Sequence, residues 1–378
     1  MKIAIVGPFF LPQLYGIEKV MWNHARHLAL RGHDVHVITS RQRFPEGRFD
    51  ELPTTETFDG FTIHRIQVLL RSPSRLFYYL SNSGLVLSGL SSRLKELRPD
   101  IVHVHNVASP MWAYIAAQYA RSNNKKLFYS LHYHPDCLKF SFWHTSIVHG
   151  LNRFPLRVSR RLFHLTRLDY DIFLREYPRA DRQRFAVLPN GVDPPLGQSQ
   201  LNPDEEALNI LFVGRVEDHR KGFDLLQKAY ARVRRPKWTL SVVGFVSDGK
   251  RLALEAEFGA AVRVLGVIDE PSLEQEYAAA SLFVMPSRYE GFGMPYIEAM
   301  RYRVPVVGTT VGGVPETVPE GTGVLIAPDD EAALCEAIDH LGTSPERRRI
   351  LGEAGQRWSE QFYWDRIVGL LESHYVGD

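Results

Sequence analysis

Cysteine is nearly missing: Cys137 and Cys335 stand far apart in 378 residues. Two distant thiols exclude a disulfide framework and form no metal-ligand spacing, and with no secretory leader in view a reducing compartment is expected. Met1 and Lys2 run straight into IAIVG, a buried-strand pattern too short for a signal peptide. No run of 18 apolar residues occurs, so no helical membrane span is expected. No Gly-x-Gly-x-x-Gly occurs either, which counts against a nicotinamide or flavin site. Acidic residues are absent from Gly60–Lys95 and from Cys137–Leu168.

What is present is ordinary globular material. Hydrophobic residues make up 44% and charged residues 23%, a balance that supports a packed core throughout. The length predicts two domains of roughly 100–200 residues each. The net charge of +2 hides a division: residues 1–190 hold 26 Lys+Arg against 14 Asp+Glu, and residues 191–378 hold 19 against 29. A basic first half suggests an anionic partner on that side. Its cations Lys139, Arg153, Arg157, Arg160, Arg161 and Arg167 are interleaved with Phe140, Phe142, Trp143, Phe154 and Phe163. Such a stretch suits an anionic membrane surface, or a packed helix with cationic edges. Arg65, Arg71 and Arg75 beside Phe77, Tyr78 and Tyr79 form a second, weaker patch.

Short β-branched runs alternate with helical periodicity, the pattern of βαβ units and parallel sheet. Strands are expected over Lys2–Val6, Asp34–Ile38, Ile101–His105 and Lys126–Ser130. A helix is expected over Ile17–Arg31, with Val20, Met21, His24, Ala25 and Leu28 on one face and Gly32 as its stop. The grammar restarts after Asn190-Gly191-Val192-Asp193-Pro194-Pro195, with strands over Asn209–Val213, Thr239–Val243, Leu282–Met285 and Val304–Val307 and a helix over Phe223–Arg234. Two successive α/β layouts predict two Rossmann-like domains, residues 1–190 and 191–359, with parallel sheets facing each other across a cleft. The amphipathic segment Trp364–Tyr375 follows the second sheet, and periodicity leaves open which domain it docks on.

Open parallel sheets bind ligands beyond the carboxyl ends of their strands. After Leu211-Phe212-Val213-Gly214 come Arg215 and, six residues later, Lys221, a fork and a point charge suited to a diphosphate or simply two solvated cations. After Leu282–Met285, Glu290-Gly291-Phe292-Gly293-Met294-Pro295 leads into a helix, where glycines admit a ligand to backbone N–H groups. Glu298 is expected near that helix's first turn, where a carboxylate is favourable in any case. Thr309–Glu316 is a second glycine loop, equally readable as a plain turn. In the first half, Gly16 opens a helix after the first strand, and His132 follows the strand Lys126–Ser130. His103 and His105 share a strand face, and His132 and His134 lie near Asp136; ordinary buried or hydrogen-bonded histidines are commoner than a metal site. Asp169-Tyr170-Asp171 reads as solvated charge rather than a divalent-ion pair.

At Arg215…Lys221 and Glu290…Glu298 the chain resembles glycosyltransferase family 4, the retaining enzymes of GT-B fold. YGIEKVMWNHARHLALRGHDVHVIT, RPDIVHVHN, LPNGVD, LFVGRVEDHRKGFDLL, MPSRYEGFGMPYIEAM and VVGTTVGGVPE carry the likeness, in order, over nearly the whole chain. Tyr15 stands where the family usually has a first glycine, Ser130 replaces its usual Thr, and its Val-Ser element is not evident in Arg167–Leu174.

The resemblance implies that Arg215 and Lys221 hold the donor diphosphate and stabilise the departing charge. It implies that Glu290 contacts the transferred sugar with backbone groups of Phe292, Gly293 and Met294, and that Glu298 binds the ribose hydroxyls. His132 would lie near the sugar's reacting face, Gly16 against the phosphates, and residues 360–378 would return to the first domain. The implied reaction is metal-independent, cofactor-free transfer of a hexosyl unit from a UDP- or GDP-sugar to a lipid-linked or cell-surface glycan. It would take place in the cytoplasm or on the inner face of the plasma membrane. A nucleotide-sugar epimerase and a catalytically silent nucleotide-sugar binder are the alternatives, and nucleic acid is not an expected partner because no recognisable binding motif is present.

Overall fold

A computed structural model describes residues 1–12, 16–41, 52–66, 88–105, 110–132, 142–197, 204 and 206–377, with the side chains of 88 and 142–148 outside that set. Tyr15, Arg71, Arg75, Phe77, Tyr78, Tyr79, His134, Asp136, Cys137, Lys139, Phe140 and the side chains of Phe142 and Trp143 therefore lie outside the described residues. The chain divides into two compact units, Met1–Gly191 with Trp364–Asp378, and Val192–Tyr363.

The first unit carries an eight-stranded sheet in the order β3-β4-β2-β1-β5-β6-β7-β8. Its strands are β1 (Lys2–Val6), β2 (Asp34–Ser40), β3 (Thr55–Phe58), β4 (Phe61–Ile66), β5 (Ile101–His105), β6 (Lys126–Ser130), β7 (Arg161–His164) and β8 (Phe185–Val187). All pair in parallel except β3, an antiparallel edge joined to β4 through Asp59 and Gly60. Ile3, Ala4, Ile5 and Val6 are fully buried, as both faces of a covered parallel strand require.

The helix Gly16–Leu30 buries the expected face, Val20, Met21, His24, Ala25 and Leu28. Gly32 follows it with φ of 82°, a left-handed conformation suited to glycine. The helix Trp364–Gly377 belongs to the same unit and inserts Trp364, Ile367, Val368, Leu371 and Tyr375 into the core against Val20 and Leu28. A Cβ on Gly191 would lie 2.4 Å from the Trp364 ring, so a glycine is required at that contact.

The second unit holds a six-stranded, wholly parallel sheet in the order β11-β10-β9-β12-β13-β14. Its strands are β9 (Leu208–Val213), β10 (Trp238–Val243), β11 (Val262–Gly266), β12 (Leu282–Val284), β13 (Val306–Thr309) and β14 (Val324–Ile326). β13 starts two residues later than Val304 because Pro305 has no N–H for the ladder and contributes only its carbonyl, which accepts from Phe283. β9 sits between β10 and β12, and β13 sits beside β12. That order brings three carboxyl-end loops side by side.

Candidate functional site

In the second unit, the loop after β9 carries Arg215 and closes in a short turn, His219–Lys221, capped by the Asp218 carboxylate. Gly222 then adopts φ of 69°, and a Cβ there would fall 1.9 Å from the Pro286 carbonyl oxygen. Only glycine lets the β9 and β12 loops approach so closely. The loops are stitched together: the Arg288 amide donates to the Arg220 carbonyl at 2.8 Å, and the Arg288 guanidinium reaches Asp224 at 2.6 Å and Asp329 at 2.6 Å. Arg288 holds the Asp224 carboxyl below its usual range.

The product of this stitching is a contact between Lys221 Nζ and Glu290 Oε2 at 2.6 Å, with the two side chains 26% and 13% exposed. The third loop closes on the same residue. Gly312 has φ of 52°, and a Cβ on it would lie 1.7 Å from the Glu290 carbonyl oxygen. The Gly313 amide donates to the Gly291 carbonyl at 3.0 Å. The Thr309–Glu316 loop is thus a buttress for Glu290 rather than an isolated turn. Arg215 is exposed and, among the described residues, without a carboxylate partner, whereas Arg288 is fully engaged.

Beyond Glu290, the amides of Gly291, Phe292, Gly293 and Met294 donate to no acceptor among the described residues. The Phe292 ring is buried against Phe362, which turns that residue's interaction capacity over to its backbone. Gly293 has φ of 87° and opens a helix, Met294–Met300, of seven residues. Glu298 is the fifth of these, just past the first turn and so near it, as expected. Glu298 Oε2 accepts from the Tyr277 hydroxyl at 2.8 Å. Burial, and then Glu298 itself, pushes the Tyr277 phenol well up, so it stays a donor. Nothing in the sequence signals Tyr277: it lies inside the preceding helix, Glu270–Ala279.

In the first unit, His132 follows β6 with φ of 43°, left-handed backbone that costs a non-glycine residue of order 1–3 kcal/mol. Its Nε2 meets His105 Nδ1 at 2.9 Å, with the rings stacked. Burial depresses His132 to about 4 and His105 well below its usual value, so both imidazoles are neutral near pH 7. His24, His103 and His105 bring ring nitrogens within 4.8 Å of one another. Both nitrogens of His103 are committed, Nδ1 to the Tyr375 hydroxyl at 2.6 Å and Nε2 to Ser130 Oγ at 2.8 Å. Among the described residues neither nitrogen of His24 has a hydrogen-bond partner, and Nε2 of His105 has none. Gly16 is exposed at the first position of its helix, and a Cβ there would meet nothing within 4 Å among the described residues.

The acidic pair falls on the helix Arg167–Glu176, where Asp169 sits in the first turn behind the Thr166 cap. Residues two apart on a helix do not face each other, so Asp169 and Asp171 form no ion clamp. The basic stretch is divided by the fold. Phe163 is a core residue of β7 and is withheld from any surface, whereas Phe154 is half-buried and packs against Tyr114.

The model of Glycosyltransferase Family 4 matches residues 15–195, and that of Glycosyl transferases group 1 matches residues 207–344. D-inositol 3-phosphate glycosyltransferase of Segniliparus rotundus is 37% identical over 227 residues, 53% of this chain and 49% of that protein. The chain spans about half the length of the curated relatives it matches. Sucrose-phosphate synthase from Thermosynechococcus elongatus superimposes with a TM-score of 0.78 at 22% identity, covering 99% of this chain and 98% of that one. Anabaena HepE in complex with UDP gives 0.76 at 19% identity, with full coverage of both chains. The two Rossmann-like units are those of the GT-B fold. With both halves matched in order, the chain belongs to the group 1, family 4-like glycosyltransferases.

Proposed function

We propose that this protein transfers a hexosyl unit from a UDP- or GDP-sugar to a lipid-linked or cell-surface glycan, with retention and without a metal ion. The observation that carries the proposal is the Lys221–Glu290 contact at 2.6 Å beside four consecutive amides, Gly291 to Met294, with no protein acceptor among the described residues. A cation, a carboxylate and free N–H groups at the carboxyl edge of a parallel sheet suit an anionic, hydroxyl-rich ligand. A protein of the same fold, Anabaena HepE, is found in complex with UDP, which supports a nucleotide-sugar donor.

In this reading Lys221 and Arg215 bind the diphosphate and stabilise its charge as the anomeric bond breaks. Glu290 and the 292–294 backbone hold the sugar, and Glu298, oriented by Tyr277, takes the ribose hydroxyls. By likeness to the family, His132 meets the reacting face of the sugar and Gly16 admits the phosphates. A neutral His132 accepts hydrogen bonds without repelling an oxocarbenium-like centre. Attack on the face the diphosphate leaves, with a leaving-group oxygen taking the acceptor's proton, gives retention without a covalent Glu290 intermediate. The reaction is placed in the cytoplasm, with the basic first unit against an anionic membrane face. Among the described residues no helix is long and apolar enough to cross a membrane.

The test is incubation with UDP- and GDP-hexoses, chelator present, with and without membrane extract. Sugar transferred only when extract is present is the expected result. Conversion of donor alone identifies an epimerase, and a melting shift with no turnover identifies a silent binder.

A further inference from the structure

Three cations of the basic stretch, Arg157, Arg160 and Arg161, meet three from outside it. Arg121, Lys125, Arg157, Arg160, Arg161 and Arg184 line a pocket of about 520 Å³ in the first unit, with Asp181 as the only carboxylate in its wall among the described residues. The pocket's place in the fold is informative. Lys125 precedes β6, Arg160 and Arg161 stand at the start of β7, and Arg184 precedes β8, so it lies at the amino-terminal edge of the sheet. His132 follows the opposite end of β6, roughly 16 Å along a five-residue strand. This pocket is therefore separate from the carboxyl-edge residues.

Structural duty accounts for only some of these cations. Two helices, Pro110–Ser122 and Phe142–Val158, end at the pocket, and basic residues are favoured at such ends. Arg184 already serves one of them, donating to the Arg157 carbonyl and to the Ser159 carbonyl at 3.0 Å, while its Nε holds Asp181 at 3.0 Å. Lys125 has Asp100 at 3.6 Å, and Arg161 donates to the Gln183 carbonyl at 2.8 Å. Arg121, Arg157 and Arg160 have no carboxylate partner among the described residues. Three unpaired guanidiniums in one concavity repel one another unless an anion joins them, and planar forks select phosphate oxygens.

We propose that this amino-edge pocket is a second binding site, for a compact anion of clustered phosphate groups, distinct from the nucleotide-sugar donor. The same chemistry is presented by free polyphosphate and by a multiply phosphorylated lipid headgroup. Its occupancy does not depend on the transfer reaction.

The experiment is calorimetric titration of the full chain with sodium tripolyphosphate at low salt, in a Lys221→Ala background that weakens any binding at the donor loop. Binding of one equivalent is expected, falling as salt is raised toward physiological strength, where the Debye length is about 8 Å. Adding Arg121→Gln and Arg160→Gln is expected to weaken it about tenfold for each arginine, about 1.4 kcal/mol apiece. Both side chains are exposed, and an unchanged melting temperature checks that the unit still folds. A parallel flotation uses phosphatidylcholine vesicles with and without phosphatidylinositol bisphosphate. Flotation that tripolyphosphate competes away assigns the headgroup as the source, and titration without flotation assigns the free anion. Equal affinity with and without the two arginines, or no binding at low salt in either arm, overturns the proposal. Neither result touches the donor reading, which is measured by sugar transfer.

Discussion

Lys221→Ala is the sharpest perturbation of the proposed site. Among the described residues the ammonium is the one cation held in contact with Glu290, and it is fixed there by Gly222 packing onto Pro286 and by the Arg288 stitch, not by its own flexible stem. A charge so placed needs no reorganisation when the diphosphate departs. Removing one preorganised donor of that kind costs about 10²–10³ in turnover, or roughly 2.7–4 kcal/mol. The structural cost is smaller. The pair is part-buried, so the fold loses roughly 1–2 kcal/mol, between the exposed and the fully buried ranges. Activity and stability should therefore separate. The assay is kcat at saturating donor alongside a thermal melt, with the donor first chosen by which nucleotide sugar raises the melting temperature. Turnover within a few-fold of wild type would refute the assignment, and a large melting shift would show that Lys221 is chiefly structural.

Three further outcomes follow from the same geometry. Gly222→Ala sets a Cβ against the Pro286 oxygen in a left-handed conformation, so urea denaturation should show a loss of about 2 kcal/mol or more, with activity falling too. Tyr277→Phe keeps the packing and removes the hydroxyl that orients Glu298, so donor KM should rise several-fold with kcat nearly unchanged, an effect of about 1 kcal/mol; an unchanged KM would sever Glu298 from donor binding. Burial depresses His24 to about 3, His132 to about 4 and His164 to about 3. The unfolded chain then binds more protons, so stability is complete above about pH 6.5 and declines as pH falls toward those values, each pK unit contributing about 1.4 kcal/mol before coupling. Melts from pH 7.5 to pH 4.5 test this, and a flat profile would contradict the neutral, buried cluster.

Much of the architecture was legible in order along the chain, since strand and helix periodicities are local. β1, β5 and β6 match their expected bounds, and the helix Gly16–Leu30 buries the face its spacing defines. The strand-loop-helix grammar also pointed to Arg215, Lys221, Glu290 and His132, because parallel sheets expose loops at their carboxyl ends. Short β7 and β8 escaped notice: Arg161–His164 and Phe185–Val187 are too brief for alternation to show.

Tertiary structure alone decided which of these residues meet. Lys221 touches Glu290 across 69 positions because β9 lies beside β12, and Gly312 supports Glu290 because β13 lies on β12's other side. Strand order is a property of long-range packing, so no local window contains it. The same packing paired His105 with His132 and Tyr277 with Glu298, and it sorted one basic stretch into core aromatics and a cationic pocket. Sequence spacing supplied the chemical groups; side-chain burial against neighbouring strands chose their partners.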